Sequence, residues 1–171
     1  TTLFRSITTD DRIIYSQRPD VTFGFNNTFN YKGFDLSVFL YARLGQWIAY
    51  DYNTTYRINA LENGGNVDYW TPENPTNAFP RPNKSKSYTQ VTYYSTLKYE
   101  DGSFFKIRDI TLGYTFKPEL LKHLNLSRLR VYATAKNFFT FSKIDNYDPE
   151  QGGSISFPMT KQLVFGLNVE F

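Results

Sequence analysis

Between residues 46 and 102, aromatic rings are interleaved with hydrogen-bonding side chains: Tyr50, Tyr52, Tyr56, Tyr69, Trp70 and Phe79 stand among Asn, Asp and Arg. Rings of this kind stack on the faces of sugars, and the polar groups between them bond hydroxyls. Tyr56, Tyr69, Trp70 and Phe79 are therefore the candidate ligand-binding residues, although the same rings could equally pack the core of their own loop. A second group, Asp145, Asn146, Asp148 and Glu150, offers the oxygen ligands that hold a hard cation such as Ca²⁺. It lacks the glycine and terminal glutamate of an EF-hand loop, so a solvated or loop-structuring role is expected of it rather than a metal site. His123, the single histidine, follows lysine in LLKHLNLS, where a structural or solvated role is expected rather than catalysis. No G-x-S-x-G, H-E-x-x-H or phosphate-cradling glycine loop occurs, and neither an enzyme nor a cofactor is expected.

Composition narrows the classes of protein that could carry these groups. The 171 residues suit one ordinary domain, and 19 basic against 16 acidic residues leave a charge of only +3, too weak and too evenly spread to suggest nucleic acid. Hydrophobic residues make up 40%, yet mean hydropathy is −0.48 and aromatics alone reach 19%, so the apolar content sits in rings among many polar residues. No run approaches the roughly 20 apolar residues of a membrane-spanning helix, and any span must be a strand. The absence of cysteine excludes disulfide frameworks and thiolate metal sites without fixing a compartment. The opening TTLFRS has neither Met nor a signal-like segment, and the chain is expected to be the remainder of something longer or a processed product.

The elements that must position the candidate groups are strands. From Val21 to Tyr31, Val21, Phe23, Phe25, Phe29 and Tyr31 share one face, broken only by Asn27, and Thr22, Gly24, Asn26, Thr28 and Asn30 share the other. The period is two, not 3.6. Phe34 to Leu44 repeats the pattern after a two-residue turn, Lys32-Gly33, which returns Tyr31 and Phe34 to the same face. Ser103–Phe116 and Arg128–Phe141 alternate likewise, with Ile107 out of phase and a bulge expected there. In Lys161–Phe171 the apolar face is Leu163, Phe165, Leu167, Val169 and Phe171. These are five strands of about the 9 to 11 residues that a tilted bilayer crossing needs. Links 32–33 and 118–127 are short, whereas 46–102 and 142–160 are long and polar, the asymmetry of outer-membrane barrels. A weaker strand pattern runs from Tyr88 to Glu100. One apolar face per strand also suits a soluble sandwich. The barrel is favoured by aromatics near strand ends and by Arg43, Arg130, Lys136 and Glu170 on the polar faces, as in a wet lumen.

EDGSFFKIRDITLGYTF (100–116) followed by LRVYATAKNFFTFSKIDNYDPE (129–150) resembles the C-terminal region of the SusC/RagA family of TonB-linked outer-membrane transporters of Bacteroidetes. RPDVTFGFNNTFNYKGFDLSVFLYARLG from Arg18 and DYWTPENPTNAFPR from Asp68 resemble it too. The most specific part is Asn137 to Phe141 with Tyr147-Asp148-Pro149-Glu150. The resemblance implies an all-β fold: the last five antiparallel strands of a large transmembrane β-barrel, of about 22 strands with a plugged lumen, with long extracellular loops and short periplasmic turns. Residues 1–171 would be the C-terminal segment, without plug domain or earlier strands. Five strands leave two open edges, which hydrocarbon does not permit, so this segment cannot span alone.

The same resemblance implies location in the cell outer membrane and TonB-dependent nutrient import of an oligosaccharide or oligopeptide. The implied partners are the rest of the barrel and its plug, a SusD-like surface lipoprotein as lid, which the rings of the 46–102 loop could equally dock, the TonB complex through the missing N-terminal region, outer-membrane lipid, and a glycan or peptide substrate. A non-transporting barrel such as an adhesin is the alternative. Phe165, Leu167, Val169 and Phe171 then resemble the signal by which barrel-assembly machinery recognises its client; anchoring of Phe171 at the periplasmic interface is the plainer role.

Overall fold

The structure is a computed structural model and describes residues 10, 12–50, 67–81, 97–154, 156–157 and 159–171. Five strands form one antiparallel sheet: β1 (Val21–Tyr31), β2 (Phe34–Leu44), β5 (Phe104–Thr115), β6 (Arg128–Ser142) and β7 (Gln162–Glu170), in that spatial order. Between β2 and β5 the chain adds a small pair, β3 (Trp47–Ala49) with β4 (Tyr99–Asp101). The end of the weak 88–100 pattern is thus a strand; its residues 88–96 lie outside the described residues.

Turn chemistry sets the register of the first hairpin. Lys32 at φ 49° and Gly33 at φ 89° both occupy the left-handed region, the combination that a type I′ turn demands and that matches strand twist. Tyr31 then pairs with Phe34, and the register runs unbroken to Val21 opposite Leu44. At the same end of the sheet, β5 and β6 are joined by a single helical turn, α1 (Pro118–Leu121), and a 3₁₀ turn over Lys122–Leu124 that carries His123.

The expected bulge lies at Arg108. On β2, Phe39 pairs with Asp109 and Leu40 with Ile107, so Arg108 has no opposite number. One extra residue reverses the parity of the strand. Phe105 and Ile107 thereby share a face with Ile110, Leu112 and Tyr114, although their numbers are of opposite parity. The partner strand answers with Asn137 in the left-handed region, at φ 58°.

One face of the sheet is apolar and exposed: Phe25 at 48%, Leu112 at 52%, Phe165 at 74% and Leu167 at 68%. Aromatic rings crowd its ends, with Phe34 and Tyr114 at 4.6 Å near the short links and Phe105 and Phe141 at 6.0 Å near the long ones. The described residues contain no second layer over this face. Their buried apolar cluster, Ile48, Tyr50 and Ile144 with Tyr147 packed against it, sits instead between the β3–β4 pair and the 142–160 link. Among the described residues the alternation therefore builds no sandwich core. β7 ends at Glu170, whose carbonyl accepts from the Ser127 amide at 2.8 Å, and Phe171 beyond it is 94% exposed.

Candidate functional site

Three of the four ring candidates converge in the segment from Asp68 to Arg81. Tyr69 and Phe79 form a parallel bridge, and the Trp70 amide donates to the Phe79 carbonyl at 3.0 Å. The turn between them closes on itself. Thr71 and Asn74 exchange backbone hydrogen bonds at 3.1 Å, while the Asp68 carboxylate accepts from Asn74 Nδ2 and Thr76 Oγ1, each at 2.7 Å. Those two donors favour the ionised carboxylate and hold Asp68 below the ordinary range, Thr76 contributing most. The result is an open pocket of about 360 Å³ bounded by Trp70, Ala78, Phe79, Pro80, Arg81 and Leu97. Tyr69 and Trp70 remain 43% and 37% exposed, so their rings are not consumed by packing. Tyr56, the fourth candidate, lies outside the described residues, as does Tyr52. Tyr50 belongs to the small apolar cluster instead.

The polar face of the sheet is organised in layers along the strands. Nearest the short links, Arg130 donates in a fork to Asp35, Nε to Oδ1 at 2.8 Å and Nη2 to Oδ2 at 2.5 Å. The two side chains meet across Gly113, where a Cβ would come within 2.5 Å of both. Next to them the Tyr132 ring lies across Gly166 and under the Arg130 guanidinium, 4.9 Å from ring centre to charge. In mid-sheet Thr111 and Thr134 hydroxyls bond at 2.9 Å, and Lys136 reaches Asp109 at 3.3 Å.

Nearest the long links, Lys106 is wholly buried, with its Nζ 2.6 Å from Asp148 Oδ2 and 2.8 Å from Glu150 Oε2. Arg108, set beside it by the bulge, reaches the other oxygen of Glu150 at 3.0 Å. Asp148 also caps the 3₁₀ turn Pro149–Gln151 by accepting from the Glu150 amide at 2.9 Å. Asp148 and Glu150 of the acidic cluster are thus engaged by cations of β5, while Asp145 and Asn146 are exposed. Below this pair lies Phe104, 2% exposed, with Arg43 and Tyr41 alongside.

Sequence reasoning picked out Asp148 and Glu150 but missed Lys106 and Arg108 as their partners. The parity change at Ile107 was the available signal, because a bulge re-aims the side chains beside it. Of the remaining candidates, Phe165, Leu167 and Val169 lie on the exposed apolar face of β7, and their apolar neighbours on β6 are Ala133, Val131 and Leu129.

No family model matches the chain. Among curated proteins it is 31% identical to TonB-dependent receptor P26 of Formosa agariphila, over 96% of the chain and 18% of that protein. It is 30% identical to TonB-dependent receptor SusC of Bacteroides thetaiotaomicron, over 97% of the chain and 17% of that protein. Among solved structures, the RagAB peptide importer in its closed-closed state superposes with a TM-score of 0.76 at 27% identity, covering 97% of this chain and 19% of that one. The open-open state gives 0.69 at 28% identity. The chain spans less than a fifth of the length of these relatives, which are receptors and transporters rather than enzymes. Five antiparallel strands with this register, matched in sequence and in fold along nearly the whole chain, make it a segment belonging to the SusC/RagA family of TonB-dependent receptors.

Proposed function

We propose that residues 1–171 form the C-terminal strands of a β-barrel of about 22 strands in the outer membrane, whose full-length protein imports an oligosaccharide or oligopeptide under TonB control. The carrying observation is the opposition of faces: an uncovered apolar face ringed by aromatics, and behind it a charged, hydrogen-bonded face. Lipid is the solvent that suits the first, and an aqueous lumen suits the second. By this topology the short links face the periplasm and the Asp68–Arg81 pocket faces the cell exterior. The similarity to RagAB, a peptide importer by name, and to SusC supports a SusD-like surface lipoprotein as lid over that exterior end. Phe165, Leu167, Val169 and Phe171 serve as the assembly signal.

The test is uptake. Cells lacking the gene and cells carrying it are given fluorescent oligosaccharide and oligopeptide pools, with and without a protonophore. Uptake that needs both the gene and the proton-motive force is expected. Unchanged uptake together with lost surface adhesion would point to the adhesin instead.

A further inference from the structure

Three cations gather on the polar face near the long links: Arg43, Lys106 and Arg108. Asp148 and Glu150 supply two negative charges there, both directed to Lys106, with Arg108 sharing Glu150. Arg43 is different. Its Nε donates to the Tyr41 hydroxyl at 2.8 Å, and its guanidinium lies 5.6 Å from the Tyr41 ring centre and 6.0 Å from that of Phe104. Among the described residues no carboxylate pairs with it. Arg108 stands at the same ring, 5.3 Å from its centre, with its side chain 37% exposed. Two aromatic rings and one hydroxyl therefore hold the Arg43 guanidinium in place while its terminal nitrogens stay open, next to a second, half-satisfied arginine.

A pre-positioned guanidinium fork matches the two oxygens of a carboxylate, and little side-chain entropy is lost when one binds. We infer that Arg43 and Arg108, set on the Tyr41 ring, form an anion-recognising subsite on the lumen wall that receives a carboxylate of the imported substrate, so that acidic oligomers are preferred over neutral ones. Lys106 does not take part: it is buried and already paired with two carboxylates. The inference rests on the proposed transport function and adds the charge class of its substrate. Its place on the sheet agrees, since Arg43 and Phe104 are opposite one another beside the long links, where a ligand arriving from outside meets the wall first.

The experiment uses the full-length transporter with its lipoprotein, titrated calorimetrically with two matched pairs of probes. One pair is a Gly-Ser decapeptide carrying four Asp residues and its Asn counterpart; the other is a galacturonate hexamer and its methyl ester. The acidic member of at least one pair is expected to bind about tenfold more tightly than the neutral member. Arg43→Gln should erase most of that preference, weakening the acidic member more than the neutral one, and Arg108→Gln should reduce it. Arg43→Lys, which keeps charge but loses the fork, should fall between. Equal binding of charged and neutral members, or no binding of any probe, would overturn the inference. So would a preference that survives Arg43→Gln while the melting temperature of the plugged barrel falls, which would assign the guanidinium to a plug carboxylate. The uptake assay decides the transport function separately, because neutral oligomers imported without charge preference would leave it standing.

Discussion

Lys106 on β5 and Asp148 in the link to β7 are 42 residues apart in the chain and form a charged contact 2.6 Å long, with the lysine side chain at 0% exposure. A buried ammonium is tolerable only with its charge matched, and Glu150 completes the match. The pair fastens an extended link to the wall of the sheet. Asp148→Asn takes one of the two carboxylates from the buried ammonium, and Lys106→Met takes the cation from both carboxylates while Arg108 still holds Glu150; either is expected to destabilise the link, by at most about 3 to 5 kcal/mol. Limited proteolysis within residues 142–160 should accelerate in both variants, and the double variant should be less affected than the sum of the two. Additive effects would mean that the contact contributes nothing.

Facing is tested by pairs on one strand. Leu167 lies on the exposed apolar face and Val164 on the polar one. Leu167→Arg should cost about 2 to 4 kcal/mol if that position meets mid-bilayer, whereas Val164→Arg should be tolerated. Thr111 and Thr134 make poorer controls, since they bond one another and Thr134 is only 8% exposed. Urea unfolding in vesicles is the measurement, and equal damage at both positions would contradict the assignment of faces.

The Asp68 clasp should make the pocket acid-sensitive. Its carboxyl titrates below the ordinary value because Thr76 and Asn74 bond the ionised form. Its stabilisation is therefore fully present above the unfolded value of about 3.9 and is lost as pH falls through the lower, folded one. Trp70 fluorescence, read in a Trp47→Phe background, should stay constant from neutral pH down to about 4 and change below it. Asp68→Asn should show the altered signal at every pH.

Tyr69→Ala with Trp70→Ala removes two exposed rings, Trp70 from the pocket wall and Tyr69 from the bridge to Phe79 beside it. The double variant is expected to lose ligand affinity or lipoprotein association while reaching the surface in normal amount, because assembly of a barrel does not depend on an exposed loop. Co-purification of the lipoprotein and ligand titration at matched expression check this. Wild-type behaviour in both would leave the rings a packing role only.

Phe171 is 94% exposed just beyond the last paired residue of β7. Phe171→Lys should lower the amount of assembled, heat-modifiable barrel without altering transport per assembled molecule. Normal amounts would remove the assembly role and leave an interfacial anchor.

Period-two alternation alone specified the five strands, their faces and the tight Lys32-Gly33 turn, because side-chain direction along a strand is a local property. It also signalled the irregularity near Ile107. It could not say that Arg108 was the unpaired residue, since a bulge is located by the hydrogen-bond register of neighbouring strands. Nor could it say whether the apolar face was covered; that required seeing the described residues fold without a second layer over it. Tyr69, Trp70 and Phe79 were legible as ring chemistry, but the bridge of Tyr69 to Phe79 and the pocket that Trp70 and Phe79 line depend on a turn closed by Asp68, Asn74 and Thr76. The pairs Asp35–Arg130 and Lys106–Asp148 join residues 95 and 42 apart in the chain, and partners at such separation are chosen by which strands lie side by side. Local pattern determined what each strand presents, and the sheet's lateral order decided what each side chain touches.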